Sequence, residues 1–144
     1  DTFTRGRGHF HAVGYLDPAE LPDDDYPYFL TTGRVFAHFH TGTMTRISPH
    51  LDAEQASGYV SIHPEDADQL GLVEGDMLLI ASRRGEMEAP ARIALSVPRG
   101  VLFLPIHFGE NPPNVLTDAE AFDPMAKIPE FKVSAVKIRK AMAA

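Results

Sequence analysis

Apolar residues in this chain come in short runs, each stopped within a few positions by glycine, proline or an acid-rich turn. The main runs are Tyr28 to Leu30, Tyr59 to His63, Met77 to Ser82, Met87 to Leu95, Val101 to Phe108 and Val133 to Ile138. No long helical periodicity alternates with them, which excludes a dinucleotide-binding α/β fold and leaves strands joined by turns. Glu74-Gly75-Asp76 and Pro98-Arg99-Gly100 mark tight turns. Arg83 to Glu86 reads as a hairpin turn with Gly85 at the position that requires positive φ. Tyr59 to His63 alternates like a half-buried strand. Pro105 bends the 101–108 strand or places it at a sheet edge, because proline donates nothing to a ladder. With a further short strand at Gly8 to Val13, the count is six or seven strands and one or two short helices. This spacing predicts a mainly β fold, either a barrel or a sandwich.

One helix has complete signals. Pro64 suits its first position, and Glu65, Asp66 and Asp68 face the positive end of its dipole. Ala67, Leu70 and Leu72 form its inner side, and Gly71 ends it. These acids therefore have a structural explanation and no catalytic role. Ile47 to Gly58 reads as a Ser-Pro-His turn followed by an irregular polar segment.

The formal charge of -7 argues against nucleic acid and anionic membrane as partners. Cysteine is absent, so disulfides, thiolate metal sites and cysteine-held iron–sulfur clusters are excluded from this chain. That absence does not decide the compartment. No apolar run approaches the roughly 20 residues that span a bilayer. The opening, Asp1-Thr-Phe-Thr-Arg-Gly-Arg7, has neither an initiator Met nor the apolar core of a signal peptide. It reads as a piece of something longer, with 1–27 a proline- and acid-rich connector and 28–144 the domain proper.

Polar chemistry is concentrated in loops that follow or precede strands, at 32–46, 107–117 and 123–132. The first is the richest, with Arg34, His38, His40, Thr41, Thr43, Thr45 and Arg46 after the run Tyr28-Phe-Leu-Thr-Thr-Gly33. Guanidinium forks suit planar or anionic acceptors, and hydroxyls and loop amides can follow a ligand closely. At one end of a barrel the three loops would make one cationic concave site, with His107, Asn114, Lys127 and Lys132 joining the first set. Phe36 and Phe39 are expected to anchor the first loop in the core. His38 and His40 are a candidate pair of metal ligands that would need His107 as a third, and chance proximity is the better account. His9 and His11 lack a third ligand nearby. Ser48 and His50 lie close in sequence, but no strained nucleophile elbow frames the serine.

Several segments together carry a resemblance: Tyr26-Pro-Tyr-Phe-Leu-Thr-Thr-Gly-Arg-Val35, His38-Phe-His-Thr-Gly-Thr-Met-Thr-Arg46, Ile62-His-Pro-Glu-Asp-Ala67, Leu70-Gly-Leu-Val-Glu-Gly-Asp76, Ser82-Arg-Arg-Gly85, Asn114-Val-Leu-Thr117 and Asp123-Pro-Met-Ala-Lys-Ile-Pro-Glu-Phe-Lys132. In this order they are similar to the C-terminal, molybdopterin-dinucleotide-binding domain of molybdenum and tungsten oxidoreductases. The closing motif most resembles that of formate dehydrogenase catalytic (alpha) subunits, with nitrate reductases as the alternative. The resemblance implies a double-psi β-barrel that holds molybdopterin guanine dinucleotide through Thr32, Gly33, Arg34, Val35, His38, His40, Thr41 and Thr43. The later contacts it implies are Phe108, Asn114, Phe131 and Lys132. It implies that the metal ligand, the catalytic His and Arg and the iron–sulfur clusters belong to upstream domains of the same subunit. This chain then has no catalytic residue and no metal ligand, and is not expected to turn over formate by itself. A different class of reading is a free-standing small barrel that serves as a binding module.

Overall fold

A computed structural model describes residues 2–141 of the chain. Six strands close into a barrel in the order β1-β5-β2-β4-β3-β6. They are β1 (Tyr28–Gly33), β2 (Val60–Ile62), β3 (Met77–Ala81), β4 (Glu86–Ile93), β5 (Val101–Pro105) and β6 (Ser134–Lys140). Two short helices, α1 (Pro49–Glu54) and α2 (Pro64–Gln69), complete the mainly β architecture, the double-psi barrel expected above.

A six-stranded barrel is narrow, and the alternation of its strands fits that lumen. Leu30, Val60, Ile62, Leu78, Ile80, Leu102, Leu104 and Val136 fill it. Ala89 and Ala91 supply small positions among them. Each buried Leu, Ile or Val stabilises the fold by about 1.5–3 kcal/mol relative to leaving it exposed.

Two pairings decide where the site can be. β1 runs parallel to β5 in the register Phe29↔Val101 to Gly33↔Pro105, so both strands end side by side. β6 runs antiparallel to β1 with Ser134 opposite Leu30, so the segment entering β6 arrives at that same end. In the barrel β5 lies between β1 and β2, and β1 lies between β5 and β6, so the chain must cross a strand on leaving β1 and again on leaving β5, and long connections follow. The long segments 34–59, 106–119 and 120–133 therefore lie over one mouth of the barrel.

Several local expectations need correction. Gly8 to Val13 forms no strand; it is exposed and pairs with no strand among the described residues. The segment after Ile47 contains α1, with Pro49 at its first turn and Asp52 near its start, the same signals that correctly marked α2. Leu70 is exposed, leaving Ala67 and Leu72 as the buried apolar residues at α2. β2 is buried on both faces, Ser61 as well as Val60 and Ile62, and β4 and β5 flank it. Pro105 is the last residue of a strand between two neighbours, not an edge; the ladder continues past it through Ile106 N–H donating to Gly33 O at 3.0 Å.

Gly85 does not have positive φ. Its requirement is space: a Cβ there would lie 2.8 Å from the Val115 carbonyl oxygen. Gly85→Ala should therefore cost about 1–3 kcal/mol, as overpacking against backbone does. Gly109, which meets open space, provides the contrast. Urea midpoints should drop for Gly85→Ala and stay nearly unchanged for Gly109→Ala.

Candidate functional site: a cleft over the barrel mouth

The three polar loops meet. Between them is a cleft of about 710 Å³ lined by Thr41 from the first loop, Phe108 and Asn114 from the second, and Phe122, Lys127 and Phe131 from the third. That volume is in the range of small-molecule sites.

The sequence-predicted residues divide into those that face the cleft or solvent and those that hold the loops together. Arg34, His40, Thr41, Thr43 and Asn114 are exposed; of these Thr41 and Asn114 line the cleft, Thr43 lines an adjoining groove with Arg46 and Asp52, and Arg34 and His40 lie outside its lining. Arg34 makes no ion pair among the described residues and sits 5.5 Å from the Phe39 ring centroid. Thr41 and Thr43 share a hydroxyl hydrogen bond of 2.9 Å at the rim. Phe131 has one face open to the cleft, and the Lys132 ammonium lies 5.5 Å from its ring centroid. Lys127 takes a left-handed φ of 56°, as His40 does at 47°. Both residues are non-glycine and both belong to loops around the mouth, the kind of place where backbone strain accompanies binding.

The second group forms the frame. Thr32 is buried, and its hydroxyl donates to Phe131 O at 2.6 Å while Lys132 Nζ donates to Thr32 O. Gly33 is packed so closely on Phe103 that a Cβ would fall 2.6 Å from the ring. Val35 offers no free amide, because its N–H donates to His107 Nε2 at 2.8 Å. Phe108 is buried beneath the site, 5.4 Å edge-on from His38.

His38 is only 4% exposed. Its Nε2–H donates to Gln55 O at 2.7 Å, which leaves Nδ1 to accept from Thr45 Oγ1 at 3.0 Å. Its role here is to fold the loop. Arg46 is also occupied, gripping Glu110 with two bonds of 2.8 Å and Asp52 with one of 3.3 Å. Glu110 is the main cause that raises the Arg46 pKa above its ordinary value, and Arg46 holds the Glu110 carboxyl low in return. Phe36 and Phe39 do not anchor the loop in the core: they are 106% and 50% exposed.

The residue sequence reasoning undervalued is His107, only 1% exposed. Its Nδ1–H donates to the His40 carbonyl, and its Nε2 accepts from Val35 N. One side chain thus pins two points of the first loop. With both ring nitrogens used, it is no metal ligand, and no group of three or more His, Asp or Glu suited to a metal occurs among the described residues. Its sequence signal was a histidine at the end of a strongly apolar strand. Burial lowers its pKa, with His38 and Arg34 adding to that and the His40 carbonyl opposing it.

Electrostatics separates the cations from the anions. Glu110 is neutralised by Arg46, and Asp118, on the cleft wall, by Arg84 at 2.7 Å. Asp123 is turned back on the Met125 and Ala126 amides. Arg34 and Lys127 have no acidic partner among the described residues.

His107→Leu should leave the Val35 N–H and the His40 carbonyl unpaired, at a cost of about 1–3 kcal/mol. The pH dependence follows from linkage: a histidine whose folded pKa lies below 6.5 binds its proton more readily unfolded. Its contribution is complete above that value and is lost as pH falls below it. Urea midpoints should therefore fall more between pH of about 7 and about 5 for the native chain than for His107→Leu.

Comparison with known proteins identifies the family. The family model described as the molydopterin dinucleotide binding domain matches residues 28–135. The F420-dependent formate dehydrogenase subunit alpha of Methanocaldococcus jannaschii is 50% identical over 135 residues, covering 94% of this chain and 20% of that protein. The F420-dependent formate dehydrogenase 1 subunit alpha of Methanococcus maripaludis is 47% identical over the same length and coverage. A nitrate reductase of Symbiobacterium thermophilum is 41% identical over 140 residues, again 94% of this chain but 18% of that protein. Among solved structures, acetylene hydratase from Pelobacter acetylenicus superposes with a TM-score of 0.75 at 18% identity, over 89% of this chain and 21% of that one, a likeness of fold. The chain thus spans about a fifth of the length of the curated relatives it matches. It belongs to the molydopterin dinucleotide binding domain family.

Proposed function

We propose that the cleft over the barrel mouth grips the molybdopterin guanine dinucleotide of a formate dehydrogenase catalytic subunit. The observation that carries this is the charge arrangement: the carboxylates Glu110 and Asp118 are paired within the protein, while Arg34 and Lys127 make no ion pair among the described residues. A net-anionic protein with such cations at one mouth is suited to a ligand bearing phosphates. The donor set fits the group. Arg34 and Lys127 suit its pyrophosphate, Thr41, Thr43 and Asn114 its polar ring edges, and the open face of Phe131 a ring. Thr32, Gly33, Val35, His38, Phe108 and Lys132 keep these contacts in place, and His40 contributes through its exposed ring.

When bound, the pterin would hold the molybdenum or tungsten at which formate gives up two electrons and a proton to become carbon dioxide. This chain's residues would orient the pterin and exclude water from its edges, which helps set the metal's electronics. Iron–sulfur clusters and metal ligands would come from upstream domains of the same subunit. Phe36, Met44 and Ile47, all exposed on the first loop, suit an apolar contact with those domains beside the cleft. Formate is preferred over nitrate because two formate dehydrogenase subunits match at 50% and 47% identity against 41% for the nitrate reductase.

Guanosine diphosphate serves as a fragment of the cofactor. Titrated into the chain, it should shift amides at 32–43, 107–117 and Lys132 in a saturable way. Arg34→Ala should weaken it by about 1.5–3 kcal/mol, the worth of a charge-assisted bond. In the intact subunit, Arg34→Ala and Asn114→Ala should lower molybdenum or tungsten content before they alter the affinity for formate. Unchanged metal content in both variants would overturn the assignment of this cleft.

A further inference from the structure

The segment ahead of β1 is bonded to both walls of the cleft. Glu20 has a side chain only 10% exposed and accepts from both the Arg83 and Arg84 guanidiniums. Its Oε2 also accepts from Ala135 N at 3.0 Å, at the start of β6. One residue earlier, Ala19 N donates to Glu130 Oε2 at 3.0 Å, next to the cleft residues Pro129 and Phe131. Asp23 takes the other side of Arg83, whose guanidinium lies 4.4 Å from the Tyr26 ring centroid. Arg84 then reaches across to Asp118 on the opposite wall, at 2.7 Å, and Gly85 packs on the Val115 carbonyl. The tip of the β3–β4 hairpin is thus a bracket between the segment 19–23 and the wall that carries Asn114.

A staple meant only for stability would not be built this way. Exposed ion pairs contribute roughly 0–1 kcal/mol, and burying a carboxylate carries a desolvation cost that apolar packing would avoid. What a carboxylate with several fixed donors adds is position. Glu20 and Ala19 fix the third loop, and Arg84 relays the same anchor to the second.

We infer that Glu20 is a positioning residue of the cleft, setting the separation of its walls at 112–119 and 127–131 and hence the affinity for the dinucleotide. The binding domain then begins near Ala19, and a shift of the segment leading into it would change the grip. This rests on the cleft being the cofactor site, but its first readout does not need a ligand.

Glu20→Gln keeps the side chain's shape and removes its charge. In the ligand-free chain it should speed amide exchange about tenfold or more at Asp118 to Phe122 and at Glu130 and Phe131 while leaving β3 and β5 amides unchanged. It should also weaken guanosine diphosphate binding about tenfold. Lys140→Gln, which removes the exposed end of the Asp76 pair, should change neither. Uniform acceleration across the barrel, or none at the two walls, would overturn the inference and leave Glu20 a simple staple. Arg84→Met carries the same measurement should Glu20→Gln fail to fold, because it spares the Ala135 and Arg83 bonds. If the native chain binds no guanosine diphosphate, the cofactor reading fails, while the exchange pattern still decides the coupling of 19–23 to the walls.

Discussion

The site depends on the parallel pairing of β1 with β5. Had these strands been antiparallel, their outgoing loops would leave from opposite ends of the barrel and no cleft would form between them. Register Gly33↔Pro105 brings both exits together, and the chemistry of that pair explains its residues. Proline has no N–H to give, so the ladder is completed one residue later by Ile106. Glycine is needed because the Phe103 ring occupies the space where a Cβ would be. His107 follows directly, so the first side chain beyond the ladder lies within reach of the Val35 amide and the His40 carbonyl. The clamp on the first loop is thus a consequence of how β5 ends.

Holding an anionic ligand in an acidic protein requires local removal of negative charge. Here that is done by internal pairing. Arg46 neutralises Glu110, Arg84 neutralises Asp118, and backbone amides occupy Asp123. Each of these bonds also fixes a loop, so charge cancellation and loop rigidity share the same residues. The left-handed backbone at His40 and Lys127 is sustained by that rigidity: His40 O accepts from His107, and Lys127 N donates to Asp123 O at 2.9 Å. Such conformations cost of order 1–3 kcal/mol and persist only where the surroundings over-determine them.

Strand positions and the mouth of the barrel were legible in the sequence because they depend on local signals: two-residue alternation, tight turns and polar loops after apolar runs. α2 was legible for the same reason. α1 carries a similar proline start but lacks buried side chains, so periodicity had nothing to register. Closure, by contrast, is a matter of long-range pairing, and a barrel and a sandwich share the same strand pattern until the register is known. Gly85 shows the limit at a single residue. A glycine before a returning strand reads as a turn requirement, yet its constraint is the Val115 carbonyl from a loop far along the chain. Phe36 and Phe39 failed in the opposite direction, since apolar character alone does not distinguish a core anchor from a face presented outward.

The same limit applies to the site residues. A motif such as Thr32-Gly-Arg-Val-Phe-Ala-His-Phe-His-Thr-Gly-Thr43 identifies a region, because exposed residues and residues that frame the loop alternate along it. Arg34 and Arg46 are chemically alike and both lie in that loop, yet one makes no ion pair among the described residues and the other is bound to two carboxylates. His38 and His40 differ in the same way: one has both ring nitrogens occupied and the other projects into solvent. What separates them is the location of partners drawn from Gln55, Asp52 and Glu110, which no local pattern contains. Resemblance to a family can therefore name the ligand class and the loop. Deciding which donors remain free to meet the ligand requires the fold.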